Sequence, residues 1–481
     1  MNNITAFVAK LRRNDGAVNA GYYGVYEKSV RSMDGYTVFM AKVDGADKLC
    51  AFGEKIPFVG IARDGYVECE LTHENAQILR RELPFCAPQP VLSQHKCTFG
   101  VGDRLGRAAP GHLRVFEKYA ATPVLAQQSM RELTLTGRTY STIIDTASFY
   151  VFREGYEGGF GADGDHLKHM GDIGAALEDG CSMITLDLSE HIHSVDESAV
   201  EEASAEVKAR YLGKTFTLAD GTVLEFSAKE LNTISAIYTE AMDFTKNVYD
   251  VYFADGKYAA DLEVSIDETS VSTTPLQHFF VANELTVRAV RFATIAPRFS
   301  GEFQKGIDYI GDLDVFTEEL KVHQAIAETF GYKLSVHSGS DKFSVFPAIG
   351  EITGGHFHIK TSGTNWLEAM RLVAMQQPAL YRNIHKYALT VFEKAKAYYH
   401  VTANVAAVPD VDTLRDEELP KLFDMADSRQ LIHITYGFIL SHPIFRPALD
   451  TLWDKEHGWY AALLKDLLTK HMECLQIPYI G

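Results

Sequence analysis

From Cys97 onward, short apolar runs alternate with longer segments whose apolar residues recur at helical spacing. Eight of the runs read as buried strands: Cys97–Asp103, Val124–Gln128, Gly159–Asp165, Met183–Leu188, Leu262–Asp267, Phe292–Pro297, Lys333–His337 and His356–Lys360. The segments between them are helical in pattern. Trp366, Met370, Val373 and Ala374, for example, fall at i, i+4, i+7 and i+8, one face of a helix. Repetition of strand then helix requires parallel pairing with right-handed crossovers. Eight such units predict an α/β fold, a closed (β/α)8 TIM-like barrel over residues 91–377.

Three stretches depart from this rhythm. Residues 1–90 carry β-like runs, Tyr36–Met40 and Pro57–Ala62, between Gly and Asp turns, with Glu74–Leu83 as a short helix. They predict a small N-terminal α+β cap, ended by the Gln89-Pro90 break. Residues 189–260 are too many for one crossover after the fourth strand. They hold an acidic helix near Glu201–Tyr211, a hairpin over Thr215–Leu224 turning on Asp220-Gly221, and a helix from Ala228 to about Tyr252. An insertion in that loop lies on the catalytic face of a barrel, placed to act as a lid or an oligomer contact. Residues 378–481 form a helical C-terminal region, with Pro409–Pro420 as a charged linker.

Composition adds exclusions. The 481 residues are 46% hydrophobic and 23% charged, enough to bury an ordinary core. A formal charge of -18 argues against a nucleic-acid or anionic-membrane partner, both of which need a basic surface. An anionic small molecule stays compatible, because one Arg or Lys reverses the field inside a pocket. The six cysteines (Cys50, Cys69, Cys86, Cys97, Cys181, Cys474) are scattered without C-x-x-C spacing, as in a protein with reduced thiols. Neither a signal-peptide core nor an 18-residue uncharged apolar run appears, so a cytoplasmic protein is expected. A homo-oligomer is compatible with all of this.

In a barrel of this kind, functional groups lie at the C-terminal ends of strands. Here those ends supply Asp103 and Arg104, Gln128, Asp165 and His166, Asp187, Asp267 and Glu268, Arg298 and Glu302, His337, and His358 with Lys360. His166, His337 and His358 suit a divalent metal, since neutral imidazole binds borderline cations and a catalytic site needs about three protein ligands. The competing reading of any one of them is a hydrogen-bonded core histidine. Glu302 would replace or complete that set, and His356 rivals His358 because both lie on one strand face. Asp165 is the expected base, or else a carboxylate orienting an imidazole. Glu268 is the second acid/base candidate, or a helix-start acid. Arg298 and Lys360 fit a substrate carboxylate, or a neighbouring barrel acid. Gly100-Val101-Gly102-Asp103-Arg104-Leu105-Gly106 lacks dinucleotide-binding spacing, and no P-loop is present.

Several longer motifs resemble one known family. Thr98–Gly106, Pro110-Gly111-His112, Gly161–Lys168, Ala296–Phe299, Gly306–Asp312, Ser335–Phe343 and His358–Thr364 look like segments of the bacterial tagaturonate/fructuronate epimerases, over roughly residues 95–440. The resemblance implies a metal-dependent barrel enzyme that inverts C4 of a 2-keto hexuronate in hexuronate catabolism. It places the proton acceptor on Asp165 and metal ligands on His166 and His337. The acid partner is Glu268 or Glu302, and the last ligand Glu302 or His358. Which acid beside Gly164 faces the site, Asp163 or Asp165, stays open. The metal, Zn, Mn, Ni or Co, is not distinguished. C4 is not adjacent to the C2 ketone, so a retro-aldol cleavage of C3–C4 is the expected chemistry, the metal acting as Lewis acid.

Overall fold

The computed structural model describes residues 3–13, 19–196, 200–269 and 271–481. Positions 1–2 and 14–18 of the N-terminal stretch, and 197–199 of the insertion, lie outside the described residues. Fifteen strands occur among those described: β1 (Arg31–Met33), β2 (Tyr36–Val43), β3 (Ala46–Gly53), β4 (Ile61–Ala62), β5 (Val67–Cys69), β6 (Cys97–Gly100), β7 (Thr122–Ser129), β8 (Gly161–Leu167), β9 (Met183–Asp187), β10 (Thr215–Thr217), β11 (Val223–Glu225), β12 (Asp261–Ser265), β13 (Thr294–Ala296), β14 (Lys333–Val336) and β15 (Phe357–Lys360). β6, β7, β8, β9, β12, β13, β14 and β15 close into a parallel barrel in chain order. Every one of the eight expected strands is there.

Polar residues at or after three of the strand ends cap the helices that follow. Ser129 accepts from the Glu132 amide, Thr274 heads Pro275–Val287 with a reciprocal capping box, and Asp312 caps Leu313–Phe330. Strand ends shift by one to three residues from expectation. β8 runs two residues further than expected, to Leu167: its pairing with β9 slips between Gly164 and Leu167, where His166 takes a positive φ of 56°. That bulge turns the chain so that neighbouring Asp165 and His166 both reach the barrel mouth.

Ahead of the barrel, β1 to β5 form an antiparallel sheet in the order β1-β2-β3-β5-β4, and helix His73–Glu82 packs on Tyr140–Glu154. Val38, Met40, Leu49 and Ala51 from this sheet join the apolar core of the barrel helices. The insertion shows the expected hairpin, with β10 paired to β11, between helices Ala205–Tyr211 and Ala228–Tyr252.

The C-terminal helices build a second apolar cluster around Trp366 and Trp453. Their last member, His457–Cys474, lies against Ala109–Phe116, where a Cβ on Gly111 would come within 2.7 Å of the Ala461 carbonyl. The second half of the segment read as a charged linker, from Asp416 on, is packed structure. Residues 416–424 form a 3-10 stretch whose Leu419, Leu422 and Phe423 are buried, and Arg371 and Arg382 bind its carbonyls and carboxylates. Its charges face outward while every third or fourth residue is apolar, and the charges dominate the sequence pattern. No helix among the described residues is long and apolar enough to cross a membrane.

Candidate active site

Alternate residues of a barrel strand face the lumen, and here many of those positions are polar. Asp163 and Asp165 come from β8, Thr185 and Asp187 from β9, Glu263 from β12, Ser335 and then His337 from β14, and His358 and Lys360 from β15. Lys360 sits at their centre. Its Nζ donates to Asp165 (2.8 Å) and lies 2.9 Å from both Asp163 and Glu263, with Thr185 Oγ1 closer still. Glu263 also accepts from Thr294 Oγ1 at 2.7 Å and faces His337 Nε2 at 2.8 Å.

The rim layer stands above this one. His166 and His337 meet edge to face, ring centroids 4.9 Å apart. His166 Nδ1 is 3.5 Å from Asp187, and His337 Nδ1 is 3.0 Å from Asp267. Both Nδ1 atoms are buried and neither has a hydrogen-bond partner of acceptable geometry. Three residues of this region hold left-handed backbone without being glycine: His166, Ser338 (φ 50°) and Asp341 (φ 57°). Strain of this type persists where surrounding structure enforces it, commonly around binding and catalytic groups.

Burial and crowding set the protonation of these groups. Burial, with Asp165 and Glu263 beside it, pushes Asp163 up to about 7 against the pull of Lys360. For Asp165 burial is outweighed by Lys360, His166 and His337, which hold its carboxyl well below the usual range. His337 goes to about 10, because Asp267 and Glu263 override burial. Five carboxylates (Asp163, Asp165, Asp187, Glu263, Asp267) face the ammonium groups of Lys360 and Lys168, the latter 3.7 Å from Asp187, and two imidazoles in a poorly solvated space.

A cavity of about 440 Å³ opens above this cluster and is lined by Asp165, His166, Asp187, Asp267, Glu268, His337 and Lys360. Its other wall is basic, formed by Arg104, Arg131 and Lys305 with Ser338, Ser362, Gly363 and Tyr399. A neighbouring cavity of about 590 Å³ shares Asp267, Glu268, Lys305, His337 and Ser338 and extends over Arg298 and Glu302.

Comparison with known proteins settles the family. The family model for tagaturonate epimerase (UxaE) matches residues 26–475. The chain belongs to the tagaturonate epimerase family. It is 40% identical over 472 residues to the tagaturonate/fructuronate epimerase of Thermotoga maritima, covering 94% of this chain and 97% of that protein. Crystal structures of the fructuronate-tagaturonate epimerase UxaE from Cohnella laeviribosi, native and glycerol-complexed, superpose with a TM-score of 0.92 at 44% identity. The glycerol complex covers 99% of this chain and 100% of that one. The protein is therefore an isomerase, a carbohydrate epimerase with a TIM-like barrel.

Within this tagaturonate epimerase family member, the expected site residues divide into two groups. Asp165, His166, His337 and Glu268 meet at one cavity, together with Lys360. Lys360 has a different place from the one expected of a substrate anchor, for its donors are spent on Asp163, Asp165, Glu263 and Thr185. His358 does not join the other two imidazoles at the rim. It stays in the lumen two residues earlier on β15, Nδ1 3.0 Å from Thr98 Oγ1, and burial lowers it to about 3. Strand alternation that placed it on the Lys360 face also placed it one layer deeper. His356 precedes β15, at the opposite end of the barrel. Glu302 pairs with His400 at 3.2 Å beside the neighbouring cavity, since its backbone bridges Ile310 and turns away from the rim. Arg298 directs Nη1 to the Thr269 carbonyl and lines that same neighbouring cavity. Sequence reasoning missed Glu263 and left Asp163 undecided; polar alternation in Asp261-Leu262-Glu263-Val264-Ser265 is the signal that marks a polar lumen.

Whether these residues suit a divalent cation is tested by their chemistry. Among the described residues, no three His, Cys, Asp or Glu donors form a ready-made ligand group. The donor set nonetheless fits: two buried Nδ1 atoms without a hydrogen bond of acceptable geometry, each beside a carboxylate.

Proposed function

We propose that the protein interconverts D-tagaturonate and D-fructuronate by inverting C4 of the 2-keto hexuronate, through retro-aldol cleavage and re-addition. The observation that carries this reading is the meeting of His166 and His337, whose Nδ1 atoms lack a hydrogen-bond partner, with Asp165 at one cavity, in a chain of this family. The relatives point to the substrate; the residues supply the chemistry.

C4 lies β to the ketone, so its hydrogen is not acidified, whereas the C3–C4 bond is that of a β-hydroxy ketone. Asp165, ionised beside Lys360, accepts the C4 hydroxyl proton. The C3–C4 bonding pair then moves onto the C1–C3 fragment as an enediolate, leaving an aldehyde at C4 of the C4–C6 fragment. Rotation presents the other aldehyde face, the enediolate carbon re-adds, and the new C4 oxygen takes a proton. Glu268, exposed at the end of β12 and lining the same cavity, approaches from a different strand and serves this second face. Lys360 holds Asp165 and supplies positive charge under the reacting oxygens.

His166 and His337, with Asp187 and Asp267, would hold a divalent cation (Zn, Mn, Ni or Co), and such a cation supplies Lewis-acid neutralisation of negative charge on substrate oxygens when bound.

The test is turnover of fructuronate labelled with deuterium at C4, in ordinary water. Tagaturonate that keeps the label supports cleavage of C3–C4. Loss of the label to solvent would sink the mechanism, and absence of any C4 epimer would sink the function.

A further inference from the structure

The cavity is polarised, with carboxylates on one wall and Arg104, Arg131 and Lys305 on the other. On its other wall Arg104 is 4% exposed and bound through Nε (2.8 Å) and Nη2 to a single oxygen of Glu132. Its plane rests on the Tyr436 ring, 4.0 Å from the centroid. This fixes the guanidinium and leaves Nη1 buried without a hydrogen-bond partner, in a residue that lines the cavity. An unpaired buried N–H costs free energy that a ligand acceptor recovers. Lys305 lines the same wall and donates to Ser338 Oγ at 3.2 Å, and among the described residues it pairs with no carboxylate. Behind them His433 is buried with neither ring nitrogen bonded, packed so closely that a Cβ on Gly363 would lie 2.3 Å from its Cε1. Burial and the surrounding Arg104, Lys305, Arg429 and Lys342 keep that imidazole neutral. Positive charge thus gathers on the wall formed by the C-terminal helices and the loops after β6 and β13.

We infer that Arg104 and Lys305 form the subsite for the substrate's C6 carboxylate, with Arg104 Nη1 donating to one oxygen and Lys305 Nζ to the same group. The assignment rests on the ketohexuronate reading above. It also answers how the aldehyde fragment is retained while it rotates: the carboxylate belongs to that fragment, and an anchor remote from C4 leaves the C4–C5 end free to turn. Arg298 and Lys360, the cations expected for this task, are both engaged elsewhere.

The test compares the substrate with neutral ketohexose, which carries a hydroxymethyl group in place of the carboxylate. For wild type, Lys305→Ala and Arg104→Lys, one measures KM for fructuronate and the inhibition constant of the neutral ketohexose in the same assay. Arg104→Lys keeps a cation for Glu132 while withdrawing Nη1, and Lys305 is only half-buried, so both variants are expected to fold. The assignment predicts that the ratio of KM to that inhibition constant rises at least fivefold in each variant. A smaller rise, including equal weakening of both ligands, overturns the subsite while leaving the epimerase reading intact. Wild-type protein inert toward fructuronate overturns both, and that result is seen before any variant is assayed.

Discussion

The rings of His166 and His337 meet edge to face at 4.9 Å between centroids, although they come from the ends of β8 and β14 on separate sides of the barrel mouth. Two imidazoles at a barrel mouth are not placed in contact for packing alone when each also faces a carboxylate. Each nitrogen must then find a proton or a cation. If the pair holds a divalent cation, His166→Ala and His337→Ala each lower metal content in elemental analysis, and activity falls at least about 100-fold. His358→Gln and Glu302→Gln, outside the pair, keep the wild-type metal content. Full metal retention in both alanine variants would remove the pair from the cation's ligands.

Lys360 gives a stability prediction. Removing one partner from a buried ionic cluster leaves charge uncompensated, at a cost of about 3–5 kcal/mol. Lys360→Met is therefore expected to lower the unfolding free energy by that order in urea titrations at pH 7.5. Part of the loss returns at lower pH, as the freed carboxylates take up protons. A loss under 1 kcal/mol would mean that Asp163, Asp165 and Glu263 do not depend on it.

The two acids beside Gly164 now separate. Asp163 is fully buried and accepts from Thr185, whereas Asp165 lines the cavity. Asp165→Asn removes the proposed proton acceptor and is expected to lower kcat by about 100-fold or more. Asp163, raised to about 7, is protonated much of the time near neutrality, so Asp163→Asn costs kcat less than Asp165→Asn does. The reverse order, read from steady-state rates, would exchange their roles.

How far the sequence carried depended on which periodicity was at work. Eight strands and the barrel were legible because strand-then-helix alternation repeats over the whole middle of the chain. Asp165 with His166, His337 and Glu268 were legible as polar residues at apolar strand ends. His358 was expected at the rim, and Lys360 was left between a substrate carboxylate and a barrel acid, because alternation fixes the face of a strand but not the depth in the lumen, and depth decides whether a side chain meets solvent or its neighbours. Glu302 and Arg298 follow β13 in irregular backbone, where no period says which way a side chain turns. Arg104 was noted only as a strand-end cation: Glu132 and Tyr436, which orient it, come from elements far along the chain.

Acid stability is governed by buried histidines away from the catalytic cluster. His278 and His323 are wholly buried with their Nδ1 atoms 2.8 Å apart, and Tyr332 bonds the far nitrogen of His278. Burial lowers His323 from its ordinary 6.5 to about 4, drives His278 further down with His323 adding to the effect, and takes His385 to about 4. In the unfolded chain all three bind protons near 6.5, so below that pH the unfolded state takes up more protons than the folded one. The stabilisation from keeping them neutral is fully present above about pH 6.5 and is lost as pH falls toward 4. Each additional proton bound by the unfolded chain steepens the loss by about 1.4 kcal/mol per pH unit. Urea midpoints between pH 7.5 and 4.5 should therefore fall steeply below pH 6.5, and His385→Gln or His323→Gln should flatten that slope even where it lowers stability at pH 7.5. An unchanged slope in both variants would show that other groups drive the acid transition.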